Sequence, residues 1–260
     1  MSTQPPRSIL IFRSGAVGDL ILTTPVLASL RAAYPEATIQ LVGNPSRAAL
    51  ARHLVNGVYD LDDAEWASLF SAEPRLESSA VQYVTDADLI VNYLPDRDGI
   101  FTTNLVSLCP GRVLSHPPHP SECPPVHIID HLLRALDALG IEPLRSPSVS
   151  HLSYGIDIPK PYLVAHPGSG GSHKTWPVER FAAACSLLST QTNVVVSSGP
   201  ADDARMAEMR RLLPDAAYPD PLALDKLAYL YGCASLYIGN DSGPTHLAAA
   251  TGIPTIALFG

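Results

Sequence analysis

The chain has 260 residues, 46% of them apolar, enough to build one large or two ordinary folded domains. A formal net charge of −8, with no cluster of Lys and Arg, argues against a nucleic-acid-binding surface, which depends on concentrated positive charge. No run reaches membrane-spanning length, Met1 to Arg7 lacks the basic and apolar stretches of a signal peptide, and Cys109, Cys123, Cys185 and Cys233 form no CxxC pair. Together these imply reduced thiols in a cytoplasmic protein.

In chain order, Ser8 to Phe12 is a continuous apolar run suited to a strand buried on both faces of a parallel sheet. The loop Arg13-Ser-Gly-Ala-Val-Gly-Asp19 follows, and a helix is expected from Leu20, with Leu22, Val26, Leu27 and Leu30 on one face. Pro25 must then sit near the first turn or kink that helix. Thr38 to Val42 reads as the next strand, completing a βαβ layout with parallel strands. Further on, Ser46 to Leu54 reads as a helix, Val58 to Leu61 as a short strand and Asp62 to Leu69 as an acidic connection. Asp88 to Asn92 is a strand, Thr102 to Leu108 is ambiguous, and Ser115 to Val126 is too rich in proline for a regular element. His127 to Leu139 has the pattern of an amphipathic helix closed by Gly140, and a proline-rich segment from Pro143 to Pro161 serves as linker.

The alternation restarts after the linker. Tyr162 to Ala165 is a strand, His166 to Trp176 a glycine-rich loop, and Pro177 opens a helix running to about Ser189. Asn193 to Ser197 is a strand, helices are expected near Gly199-Pro200-Ala-Asp-Asp203 and over Asp225 to Cys233, and Leu236 to Ile238 is a strand. Asn240-Asp-Ser-Gly243 is turn chemistry, and Pro244 marks the first turn of a helix that Gly252 ends before the strand Thr255 to Phe259. The backbone N–H groups of Ser242, Gly243 and Thr245 are expected to point out of that helix, where they and the helix dipole favour an anion such as phosphate; His246 lies at the same end. Two βα-repeating halves suggest two Rossmann-like domains facing a cleft.

Three loops carry the chemistry. Asp19, at the end of the first strand, can be read as a carboxylate that takes a proton from an attacking hydroxyl or as an ordinary helix N-cap. Its loop is no dinucleotide fingerprint, because Gly15 and Gly18 lack a third glycine and Val42-Gly43-Asn44 supplies no acid. Gly168-Ser-Gly-Gly-Ser-His-Lys174 can wrap a diphosphate, with Lys174 adding charge, or can be a flexible strand-to-helix turn; its spacing is not that of a Walker A loop. His116, His119, Cys123, His127 and His131 lie close together, but the intervening prolines oppose a zinc site, and no metal is expected. Trp66 and Trp176 read as packing residues.

Ile11 to Val26, His166 to Pro177 and Gly239-Asn-Asp-Ser-Gly-Pro-Thr-His-Leu-Ala-Ala-Ala-Thr-Gly-Ile-Pro254 together resemble glycosyltransferase family 9, the heptosyltransferases of lipopolysaccharide core assembly, in order, spacing and strand-loop-helix setting. The likeness spans nearly the whole chain and is weakest between Pro45 and Pro125. It implies an α/β fold of the GT-B type: an acceptor-side domain over 1–145, a linker over 146–160 and a nucleotide-sugar domain over 161–260. Since the family continues past the point where this chain stops, the resemblance makes that second domain incomplete at Gly260.

On the same resemblance, Asp19 corresponds to the catalytic base; Ser169, Gly170 and Lys174 to the diphosphate loop; and Asp241, Ser242, Gly243 and His246 to the donor site. Asp202 or Asp203 is a weaker transfer, towards the nucleoside. The implied activity is inverting transfer of a sugar, foremost a heptose from ADP-heptose, onto a lipopolysaccharide core-type acceptor, without metal or other cofactor. The implied partners are a nucleotide-sugar donor and a lipid-linked or oligosaccharide acceptor, with membrane contact only through the acceptor at the inner membrane. An inactive nucleotide-sugar-binding fragment and a GT-B nucleotide-sugar epimerase are the alternatives. A nicotinamide- or flavin-dependent oxidoreductase is disfavoured by the missing GxGxxG.

Overall fold

A computed structural model describes residues 4–75, 77–120, 126–171, 174–199 and 203–259. The chain divides into two compact units, Met1–Ser148 and Val149–Gly260.

In the first unit, the apolar run becomes β1 (Ser8–Phe12), followed by α1 (Val17–Ala33), β2 (Thr38–Gly43), α2 (Pro45–Ala48) and β3 (Gly57–Asp60). Next come α3 (Ala64–Ala67), α4 (Ser79–Thr85), β4 (Leu89–Asn92), α5 (Ile100–Leu108), β5 (Arg112–Ser115) and α6 (Ile128–Leu133). The five strands are all parallel, in the order β3-β2-β1-β4-β5. Helices cover both faces, and Ile9 to Phe12 and Leu89 to Val91 are almost wholly excluded from solvent. Phe12 sits edge-on to Trp66 and Phe101, at centroid distances of 5.4 and 5.2 Å, so Trp66 is a packing residue. Each such pair contributes about 0.5–1.5 kcal/mol beyond the area it buries.

Several local expectations need correction. The helix expected from Leu20 begins at Val17, which puts Asp19 inside its first turn and Pro25 in its interior. Pro25 offers no N–H to the Ile21 carbonyl; the Thr24 hydroxyl takes that carbonyl at 2.7 Å instead, and Ser29 Oγ donates to Pro25 O at 2.7 Å. The helix expected over Ser46 to Leu54 is shorter, a single α-turn followed by the 3-10 turn Ala49–Ala51. The stretch Asp62 to Leu69 is not only a connection, since α3 and the 3-10 turn Ser68–Phe70 bury Trp66 and Leu69 there. Ambiguous Thr102 to Leu108 is helical, and α4 and β5 emerge where no element is legible from the sequence pattern.

The proline-rich segment is laid down on both units. Leu144 N donates to Ser29 Oγ at 2.8 Å and Ser148 N to Thr24 Oγ1 at 3.0 Å, whereas Leu152 N donates to Asp225 O at 3.1 Å.

The second unit runs β6 (Tyr162–His166), α7 (Val178–Leu188), β7 (Asn193–Val196), α8 (Asp203–Leu212), α9 (Leu224–Gly232), β8 (Leu236–Asn240), α10 (Gly243–Ala250) and β9 (Thr255–Leu258). Its strands are again parallel, in the order β7-β6-β8-β9. Val195 adds a lone parallel bridge to Ala217, in the place that β3 holds beside β2 in the first unit. Leu163, Ala165, Phe181, Cys185, Val194, Val196, Met209 and Ile238 form its core. No helix among the described residues is long and apolar enough to cross a membrane.

In both units the first strand of the unit has neighbours on its two sides whose crossovers run in opposite directions. The loops leaving β1 and β4, and those leaving β6 and β8, therefore part at the C-terminal edge of each sheet, where open α/β sheets bind ligands.

Candidate functional site

At the edge of the second sheet, β6 and β8 are paired as far as His166 and Gly239. Beyond that register the chain forms two loops, 167–177 and 241–242, which lie against one another. Ser169 Oγ donates to Asp241 O at 3.1 Å, and Lys174 Nζ meets Asp241 Oδ2 at 2.8 Å. His246 Nε2 stands 4.0 Å from Asp241 Oδ1, so one carboxylate lies between an ammonium and an imidazole. The side chains of Lys174, Asp241 and His246 are 47%, 28% and 42% exposed, open to a solute at the sheet edge.

The turn after β8 sets up a helix start. Ser242 is the N-cap of α10 in extended conformation, with Gly243 and Pro244 next. Its carbonyl accepts from both Thr245 N, at 3.1 Å, and His246 N, at 3.2 Å. The Thr245 amide is therefore spent inside the helix, contrary to the expectation that it points outward. The amides of Ser242 and Gly243 donate to no acceptor among the described residues, leaving two N–H groups at the positive end of the helix dipole.

Two buried side chains hold these pieces. Asn240, fully buried, donates from Nδ2 to Pro167 O at 2.8 Å and accepts from Trp176 N at Oδ1 at 2.9 Å. Thr245 Oγ1 donates to Asn240 O and lies 3.2 Å from the Tyr237 hydroxyl and 3.4 Å from Ser242 Oγ. A side chain at Gly239 has no room, since its Cβ would fall 2.6 Å from the Tyr237 hydroxyl and 2.8 Å from Thr245 Oγ1. Trp176 packs edge-on against Phe181 at 5.2 Å, a core role.

Of the residues expected from sequence at this site, Ser169, Lys174, Asp241, Ser242, Gly243 and His246 are brought together, and Gly170 lies in the same loop with open space around its Cα. Ser172 and His173 of that loop, and Asp202, lie outside the described residues. The side-chain roles of Asn240 and Thr245 are not among the sequence expectations, which concern only the Thr245 amide; a polar residue closing an otherwise apolar buried strand is the signal that marks Asn240.

The first unit presents a second cluster at the end of β1. Arg13 N pairs with Val42 O at 3.0 Å, continuing the sheet, and its side chain turns back to Asp19, Nη2 to Oδ1 at 3.2 Å. Asp19 is not the N-cap of α1. That position belongs to Ala16, which has no side-chain oxygen, and Asp19 Oδ2 accepts the Ala16 N–H at 2.6 Å from two residues into the helix. Gly15 adopts φ 111°, and a Cβ there would lie 2.5 Å from Asp19 Oδ2, so the loop requires glycine twice over. The Asp19 side chain keeps 26% exposure. Each of its oxygens has one internal donor and a lone pair left over.

Arg13 is 4% exposed, and no partner among the described residues meets its buried Nε. Burial lowers its pKa, and the charges of Asp19 and Tyr93 oppose that shift. Burial likewise raises the Tyr93 phenol, whose hydroxyl donates to Leu132 O at 2.7 Å. Arg13 escaped the sequence reading, although a lone Arg directly after four buried apolar residues is its signal. Arg47 donates to Gly15 O and braces the same loop.

The histidines of the proline-rich segment have other tasks. His127 Nδ1 accepts from Ile129 N at 3.3 Å, His131 Nε2 meets Pro117 O at 2.8 Å, and the rings of His116 and His131 lie 4.4 Å apart. Cys123 lies outside the described residues, and no group of three or more metal-ligating side chains occurs among the described ones.

The description of glycosyltransferase family 9 (heptosyltransferase) matches residues 140–260, the stretch that holds both loops of the second unit. Lipopolysaccharide heptosyltransferase 3 of Escherichia coli K12 is 26% identical over 278 residues, covering 94% of this chain and 79% of that protein. Among solved structures, a family 9 glycosyltransferase from Veillonella parvula superposes with a TM-score of 0.73 at 20% identity, covering 96% of this chain and 80% of that one. The E. coli heptosyltransferase WaaC, solved with ADP-2-deoxy-2-fluoro heptose, gives 0.72 at 17% identity, covering 96% and 88%. Two parallel α/β units on these neighbours' plan make the fold GT-B. Together with the three loops, these matches make the chain similar to glycosyltransferase family 9, the heptosyltransferase family, whose model it matches over its second unit.

Proposed function

We propose that this glycosyltransferase transfers a heptose, with inversion, from ADP-heptose to an acceptor of the lipopolysaccharide core type. The observation that carries the reading is the meeting of Ser169, Lys174 and Asp241 with the two unpaired amides of Ser242 and Gly243 at one sheet edge. That combination offers a cation and oriented N–H groups to a diphosphate and a carboxylate to sugar hydroxyls. His246, on the first turn of the same helix, completes the donor site. The donor is also the class of molecule held by WaaC in its solved complex.

In this reading the first unit supplies the base. An acceptor hydroxyl attacks the anomeric carbon as the bond from that carbon to the diphosphate oxygen breaks, and the hydroxyl proton passes to Asp19. Negative charge grows on the departing ADP, where Lys174 and the α10 amides are preorganised to receive it, so the displacement needs neither a covalent intermediate nor a metal. Arg13 and the Ala16 amide fix the carboxylate while leaving it a lone pair on each oxygen for the proton. The first unit would hold the acceptor, membrane contact would come only through a lipid-linked acceptor, and the reaction belongs at the cytoplasmic face.

The test is incubation of the chain with ADP-heptose and a heptose-deficient core acceptor, followed by mass spectrometry. The expected product is the acceptor plus one heptose, with the anomeric configuration opposite to the donor's. Release of an epimerised sugar without acceptor, or donor binding with no transfer, would replace this reading with an epimerase or a binding module.

A further inference from the structure

We propose that Asn240 and Thr245, neither of which can touch a ligand, are positioning residues that set the spacing between Lys174 and the Ser242–Gly243 amides, and so the affinity for a nucleoside diphosphate. The inference rests on the donor-site reading above and extends it to the buried layer beneath.

Lys174 and Asp241 belong to segments 67 residues apart, and sheet pairing between their strands stops at His166 and Gly239. What fixes one loop to the other must lie beyond that register. Asn240 is the first residue past it, and its side chain is used on both sides: the amide donates to Pro167 O at the loop's entrance, and the carbonyl accepts from Trp176 N at its exit. An amide alone combines donor and acceptor in this shape; aspartate loses the donor and leucine both. The loop carrying Ser169 and Lys174 is thus closed at its neck by one fully buried side chain.

Thr245 performs the matching task for the helix. Its hydroxyl donates to Asn240 O, across the turn whose amides face outward, and is braced by the Tyr237 hydroxyl at 3.2 Å. Tyr237 and Thr245 fill the space that a side chain at Gly239 would need, so the strand end, the turn and the first turn of α10 move as one piece. Besides the half-exposed contacts of Ser169 and Lys174 with Asp241, Asn240 provides the buried link between loop and helix start, by its side chain to the loop and by its carbonyl to Thr245. Thr245 is 6% exposed and Asn240 fully buried, so both act through the atoms they hold.

The test measures ADP affinity by calorimetry well below each variant's unfolding temperature. Thr245→Val keeps the shape without the hydroxyl and is expected to weaken ADP by roughly tenfold or more, the loss typical when donors to a charged group are misaligned. Thr245→Ser, which restores the hydroxyl, is expected to bind within about twofold of wild type. Tyr162→Phe loses another buried hydroxyl bond of the same unit, to Leu230 O at 2.8 Å, and is expected to lower the unfolding temperature while leaving ADP affinity unchanged. Thr245→Ala serves as the second variant should valine prevent folding. Folded Val or Ala variants with wild-type affinity, an equal loss in Tyr162→Phe, or failure of both Thr245 variants to fold would each overturn the inference. A wild-type chain that binds no ADP would overturn the donor-site reading itself, and this inference with it.

Discussion

Asp19 carries two jobs in one carboxylate. It closes the first turn of α1 through the Ala16 amide and faces Arg13, and its remaining lone pairs point to solvent through the 26% of the side chain that stays exposed. Asp19→Asn retains an oxygen for the Ala16 amide and should fold, but it cannot take a proton. Its turnover is expected to fall by about 10²–10⁴-fold with ADP affinity unchanged, measured by initial rates and calorimetry on the same preparation. Equal losses in rate and in ADP binding would mean that Asp19 serves the scaffold only. Asp241 gives a second, oppositely directed expectation. Its carboxylate neutralises Lys174 at 2.8 Å, so an incoming diphosphate meets a cation already paired and a like charge beside it. Asp241→Asn should therefore bind ADP several-fold more tightly, roughly one salt-bridge equivalent, while losing transfer from the nucleotide sugar. Weaker ADP binding in that variant would show that Asp241 holds the loop rather than the sugar.

At the scale of elements, α1 shows how composition hides geometry. A proline in a helix interior costs about 3 kcal/mol or more, which makes Pro25 read as a first-turn residue or a kink. The helix passes through it because Thr24 and Ser29, both buried, bond to the carbonyls around it. Thr24 Oγ1 also accepts the Ser148 amide, so Thr24→Val removes two bonds at once and is expected to cost about 1–3 kcal/mol in urea unfolding. A change below about 0.5 kcal/mol would assign the helix's tolerance of Pro25 to packing alone. The strands and the long helices were legible because a parallel sheet covered on both faces demands unbroken apolar runs, as in Ser8–Phe12 and Tyr162–His166. Two elements were not: α4 has only seven residues, too few for a helical period to stand out, and the edge strand β5 (Arg112–Ser115) is flanked by polar residues and half exposed, without the unbroken apolar run that marks the equally short β4. The helical turn Ala64–Ala67 was concealed by its acidic neighbours, although Trp66 within it is one of the anchors of the first core.

For the molecule as a whole, stability should depend on pH through histidines held neutral. Burial lowers the pKa of His116, with the nearby charges of His131 and Arg134 adding to the effect and the backbone of His131 and the charge of Asp137 opposing it; burial also lowers that of His53. The folded chain then binds fewer protons than the unfolded chain just below pH 6.5, the ordinary histidine value. Stability is fully present above that value and is lost as pH falls through it towards the lower folded values. Unfolding at pH 7.5 and 5.5 should show this loss, and His116→Asn should reduce it; an unchanged midpoint across that interval would show that neither ring is held neutral by the fold.

The sequence by itself determined the two alternating halves, the three loops and the chemistry each could offer, because strand runs, glycine spacing and helix-start residues are local properties read from neighbours a few positions apart. It also pointed to Lys174 and Asp241 separately, each through its own loop. Only the tertiary structure decided that they form an ion pair, that the Thr245 amide turns inward, that Asp19 caps α1 from within and shares its charge with a buried Arg13, and that Asn240 ties Pro167 to Trp176. Those facts depend on which strands become neighbours. The order β7-β6-β8-β9 sets β6 beside β8 across some seventy residues of chain, and a pattern with periods of two or 3.6 carries no information over that distance.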